Sequence, residues 1–119
     1  MNEQVVLDRL LTLQRGWGGQ DEEPIAPAIV AEARKLLALL PADWPKPWVG
    51  PTFAGGVILE WFDTREYLIE YLSIDTCGWY ILDKAARWDA EGQCSAEPET
   101  LLALLRLFRD ERFRVGEEP

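Results

Sequence analysis

The chain has 119 residues, 21 Asp and Glu against 12 Lys and Arg, a formal charge of −9 and no histidine. The missing imidazole removes the commonest general base and metal ligand. The acidity argues against direct binding to nucleic acid or to an anionic membrane, both of which need a cationic surface. The length fits one domain, and a 48% apolar fraction is that of a globular chain.

Residues 3–15 carry Val6, Leu7, Leu10, Leu11 and Leu13 at helical spacing and predict a first helix ended by Gly16. Gly16-Trp17-Gly18-Gly19 and the run to Pro24 read as a loop in which Trp17 folds back onto the core. Ligand stacking by that tryptophan is the lesser alternative. Pro27 suits a first helical position, and Ile29, Ala33, Leu36, Leu37 and Leu40 form the stripe of a helix over 27–40.

Residues 41–51 hold four prolines with Trp44 and Trp48, and predict a stiff connection clamped over the core by both tryptophans. A ligand for a proline-recognition domain is the competing use of such a segment. Val57, Leu59 and Trp61 then alternate with Ile58, Glu60 and Phe62, and Tyr67, Ile69 and Tyr71 alternate with Leu68, Glu70 and Leu72. Asp75-Thr76-Cys77-Gly78 reads as a turn, followed by a third strand at Trp79–Leu82. Short turns between consecutive strands impose antiparallel pairing. A weak edge strand around Arg87-Trp88-Asp89, or only loop, precedes a helix over 98–109 that turns Leu101, Leu104, Leu105 and Phe108 to the sheet. Arg106, Arg109 and Arg112 suit the negative end of its dipole. Residues 116–119 are expected to fray.

The expected fold is α+β in the order α-α-β-β-β-α. It is a three- or four-stranded antiparallel meander with helices on one face and Val57, Leu59, Trp61, Ile69, Tyr71 and Ile81 in the core. The opposite face then gathers Glu60, Glu66 and Glu70 among Ile58, Phe62, Leu68 and Leu72. A register shifted by one residue would bury some of those carboxylates unpaired, at high cost.

No catalytic apparatus is legible. Ser73 and Ser95 sit in no nucleophile elbow, and Cys77 has Asp75 as its nearest charge in sequence, which opposes thiolate formation. Gly55-Gly56 precedes a strand instead of opening a helix, so it cradles no phosphate. Cys77 and Cys94 without histidine are too few for structural zinc unless carboxylates complete the site, and no calcium-loop spacing occurs. No cofactor or metal is expected. With no secretory leader and no apolar run of membrane length, free thiols in the cytoplasm are the expected state, and a disulfide between Cys77 and Cys94 is the lesser alternative.

Two segments carry a resemblance. Gly16-Trp17-Gly18-Gly19 with Pro24-Ile25, and Pro51-Thr52 with Gly55-Gly56-Val57-Ile58-Leu59-Glu60-Trp61, resemble a widespread group of short bacterial and phage proteins of uncharacterised function. That group reads Trp-Asp-Gly-Tyr in the first motif and Pro-Thr-x-x-Gly-Gly-x-x-Leu-Glu-Trp in the second. Gly18 replaces the aspartate here and the tyrosine is missing, so the second motif is the closer match. The resemblance covers the first two-thirds of the chain and implies a small stand-alone protein, with no activity or site residues to carry over.

The function expected from these features is non-enzymatic. It is an acidic binding protein that neutralises or regulates a basic protein partner, as antitoxins, immunity proteins and phage anti-defence proteins do. The partner-binding residues would be Glu60, Glu66, Glu70, Phe62 and Leu68, with self-association through the same face as a variant. The alternative is a carboxylate-based enzyme or small-ligand binder using Glu60 with Glu66 or Glu70.

Overall fold

Alternation of apolar and polar residues on the strands, and a 3.6-residue apolar period on the helices, place one set of side chains between two layers. The computed structural model describes residues 2–110 and 112–113. Its elements are α1 (Glu3–Leu10), α2 (Pro27–Leu39), β1 (Trp48–Pro51), β2 (Val57–Phe62), β3 (Glu66–Tyr71), β4 (Thr76–Asp83), β5 (Trp88–Ser95) and α3 (Pro98–Arg109). The strands form one antiparallel sheet in sequence order, β1-β2-β3-β4-β5. The helices pack on one face of it, and Val57, Leu59, Trp61, Tyr67, Ile69, Tyr71 and Ile81 are buried beneath them with Leu36, Leu101, Leu105 and Phe108.

The α+β class and the meander agree with the sequence, but the sheet has five strands where three or four are expected. Both additional pieces have weak sequence signals. β1 lies inside the proline-rich connection, where Val49 pairs with Leu59 and is buried. β5 contains Gly92, Gln93 and three polar residues facing outward, yet pairs with β4 along its whole length, from Thr76–Ser95 to Asp83–Trp88. The neighbouring strand supplies what β-propensity does not. β4 also begins earlier than expected, so Cys77 and Gly78 are strand residues; the turn before them is closed by the Leu72 and Ser73 N–H groups donating to the Thr76 carbonyl.

The first helix stops at Leu10, short of residue 15. The Thr12 hydroxyl donates to the Arg9 carbonyl at 2.7 Å, and the Thr12 and Leu13 N–H groups reach back only three residues, so the last turn tightens and the helix ends. The expectation for residues 116–119 lies outside the described residues.

Arg65, at the start of β3, organises the end of α3. Its guanidinium is buried, with Nε donating to Asp83 at 3.0 Å and terminal nitrogens donating to the carbonyls of Phe108, Asp110 and Phe113. It also lies 5.1 Å from the centre of the Trp88 ring. Carbonyls left open by the helix terminus are thus taken by a side chain distant in sequence. Arg109, on the last turn, instead pairs with Asp63 and stacks on Trp44.

The two motif segments pack against each other. The Glu23 N–H donates to the Phe53 carbonyl, and the Ala26 N–H donates to the Gly55 carbonyl. Within the second motif, the Thr52 hydroxyl accepts from the Gly56 N–H at 2.8 Å. Gly55 has φ +90°, and a Cβ at Gly56 would collide with the Tyr71 carbonyl. In the first, the buried Glu22 carboxylate accepts from the Gly18 and Gln20 N–H groups, while Trp17 Nε1 donates to the Glu23 carbonyl. Burial alone would push the Glu22 carboxyl up; the backbone N–H groups outweigh it and hold it below the usual carboxylate range. Trp17 is therefore tied back by its own loop. The glycine-rich motifs build a clasp between the α1–α2 loop and the start of β2.

Candidate functional site

The β2–β3 register pairs Ile58 with Glu70, Glu60 with Leu68 and Phe62 with Glu66. Because strand side chains alternate, these six share the face turned away from the helices. The expected site residues Glu60, Glu66, Glu70, Phe62 and Leu68 therefore do stand together. The four other than Phe62 are half-buried among their neighbours, and Phe62 is 64% exposed.

The added strands enlarge this face. Trp48, expected to clamp the core, instead pairs with Glu60 from β1 and lies 54% exposed across Gly50 on the outer side. Its clamp partner Trp44 does pack against the core. On the other flank, Tyr80 pairs with Leu68 and Glu91, and Leu82 pairs with Glu66 and Asp89. The Tyr80 hydroxyl donates to Asp89 at 3.0 Å. Lys84 meets Glu66 at 3.0 Å. Sequence reasoning missed Trp48, Tyr80, Asp89 and Glu91. Alternation along Trp88–Ser95 was the available signal, muted by the lack of β-branched residues.

The carboxylates act on one another. Partial burial, and then the Glu66 charge, push the Glu60 carboxyl above its usual range. The Tyr80 phenol is raised by its hydrogen bond to Asp89, by burial and by the charges of Asp89, Glu91 and Glu66. A face whose groups disfavour further negative charge favours an arriving cation.

Three of the depressions in the surface are lined by described residues. One of about 160 Å³ lies at the C-terminal end of α3 between Asp63, Arg109 and the buried Tyr67, whose phenol is pushed up to about 12, chiefly by burial. Another, beside Glu32 and Pro98, has a volume of about 290 Å³. The third, about 370 Å³, lies on the outer sheet face between Glu70, Tyr80 and Glu91. Glu60 lines none of the three, and Glu66 and Glu70 are its diagonal neighbours across β2 and β3, two residues either side of its partner Leu68. Among the described residues no group of three or more Cys, Asp or Glu is placed to hold a metal ion, and no helix is long and apolar enough to cross a membrane.

Cys77 and Cys94 are free thiols directly paired across β4 and β5 on the inner face. Burial, with Cys94 adding to it, pushes the Cys77 thiol up to about 12, and burial also raises Cys94. Neither has the thiolate character of a nucleophile.

Comparison of the chain with protein-family models, with curated proteins and with solved structures gives no significant match.

Proposed function

We propose that the protein is a small acidic binding protein and that its outer sheet face docks a basic protein partner. One observation carries this reading: Glu60, Glu66, Glu70, Asp89 and Glu91 share a sheet face with Trp48, Ile58, Phe62, Leu68 and Tyr80, and none of these ten is buried among the described residues. Aromatic and aliphatic groups there supply area to bury, and the carboxylates supply steering and partner choice. The partner we propose is a basic toxin or defence protein, neutralised in the manner of an antitoxin, immunity protein or phage anti-defence protein. The net charge of −9 supports that class.

The test is capture of partners from host lysate, followed by affinity measurement with the purified partner and a Glu60→Lys/Glu70→Lys variant. The expected result is at least a tenfold loss of affinity, with an association rate for the unaltered protein that falls as salt rises. A partner whose affinity survives both charge reversals would remove this face from the function.

A further inference from the structure

The strand glycines of this sheet do not share a cause. At Gly50 the ring of Trp48 occupies the space a Cβ would need, and at Gly92 the ring of Trp79 does so on the other face. Gly78 has no such occupant. Among the described residues, a Cβ there would meet only Leu72 Cδ1 at 3.7 Å and the Gly92 carbonyl at 3.9 Å, both ordinary contacts. Nor is Gly78 among the glycines with positive φ, which are Gly16, Gly19 and Gly55. Glycine inside a strand costs stability and often marks a place where another group approaches closely. Neither the backbone angle nor the packing of the described residues explains it here.

The register says what surrounds the missing side chain. Gly78 is paired with Glu70 on one side and Gln93 on the other. Directly opposed Cβ positions in such pairs lie about 4.5–5.5 Å apart. Tyr80 follows two residues along the same face, and Glu91 sits diagonally across from Gly78. Together with Leu68 these line the outer depression of about 370 Å³, and none of its lining residues is cationic. The Tyr80 ring is held by its hydroxyl bond to Asp89.

We infer that the gap over Gly78 receives an arginine side chain of the basic partner, an assignment that rests on the binding function proposed above. A guanidinium is planar and carries five donors, so it can lie against the Tyr80 ring while donating to Glu70 on one side and Glu91 on the other. The aliphatic stem passes over Leu68, and the Gln93 carbonyl is a further acceptor. A lysine ammonium in the same gap can pair with a carboxylate but gains no planar stacking and no two-sided fork. Glycine is the residue that leaves room for this insertion.

The test uses the ¹⁵N-labelled full-length chain and three capped tripeptides, Gly-Arg-Gly, Gly-Lys-Gly and Gly-citrulline-Gly, titrated to millimolar concentration and followed by amide shifts. The arginine peptide is expected to move the amides of Gly78, Tyr80 and Gly92. It should bind at least fivefold more tightly than the lysine and citrulline peptides, and lose at least tenfold in Gly78→Val, whose side chain fills the gap. Gln93→Lys, an exposed substitution that places a competing ammonium beside the gap, should cause a similar loss and serves if Gly78→Val does not fold. Equal binding of the citrulline peptide, stronger binding of the lysine peptide, or shifts that bypass Gly78 would overturn the assignment. With a purified partner in hand, affinity that falls in Glu60→Lys but not in Gly78→Val overturns the arginine gap and leaves the docking face standing. Indifference to both overturns both.

Discussion

The two faces of this sheet are made by the same strands and differ in what a side chain on them does. On the inner face Leu59, Trp61, Tyr67, Ile69 and Ile81 have at most 1% of their surface exposed, and the Trp61 and Tyr67 rings stack with centres 5.5 Å apart. On the outer face Trp48 and Phe62 are more than half exposed, and carboxylates stand between the apolar groups. Hydrophobic burial has been used up on one side only. The other side keeps apolar area in contact with water.

Substitutions that act mainly on one face are the way to break this contrast. The largest loss should come from the polar end of the inner layer: Asp83→Ala removes the buried carboxylate facing Arg65 and should cost about 3–5 kcal/mol, measured by urea unfolding. A loss below 1 kcal/mol would mean that the Asp83 pair adds little to how Arg65 is held. Leu59→Ala should cost about 2–5 kcal/mol, while Phe62→Ala on the same strand should stay under about 1 kcal/mol. Equal losses would erase the distinction between the faces. Thr52→Val removes the acceptor for the Gly56 N–H and should cost about 1–3 kcal/mol, with little effect on partner affinity if the motif clasp is structural.

The smallest effect in energy is the most specific to the outer face. The Glu60 carboxyl is raised in the folded protein, so the folded state holds its proton more tightly than the unfolded chain does. Stability from this group therefore falls as pH rises from the unfolded carboxylate value through the folded one, and the deficit persists at neutral pH. Glu60→Gln should raise stability at pH 7 by about 0.2–1 kcal/mol and give no gain at pH 3. A gain at both pH values would assign the effect to packing. Thiol reactivity gives a check on the inner face that needs no substitution. With Cys77 raised to about 12 and fully buried, iodoacetamide at pH 8 should label Cys94 first and Cys77 only on unfolding.

Much of this was legible in the residue order. Hydrophobic period sufficed for α2, α3 and the β2–β3 hairpin, because a one-residue slip there would bury Glu60 and Glu70 and expose Trp61 and Ile69. The same argument brings the three glutamates to one face. It failed where local signals are weak or contradictory. Trp48 stands among prolines and reads as a clamp, yet Val49 takes the inward position of a strand and sends Trp48 out. Trp88–Ser95 lacks β-branched residues and becomes a strand only because β4 offers its ladder.

What the chain determined by itself is therefore the class of fold, the inward set of the central hairpin and the excess of negative charge, since these follow from composition and from periods of 2 and 3.6. Tertiary structure decided the rest. Pairing across the sheet brought Asp89 and Glu91 beside Tyr80, placed Gly78 between Glu70 and Gln93, and carried Arg65 to the end of a helix more than forty residues away in sequence. Those neighbours share no local pattern. They meet because backbone hydrogen bonds must be satisfied strand by strand, and each added strand fixes which side chains end up side by side.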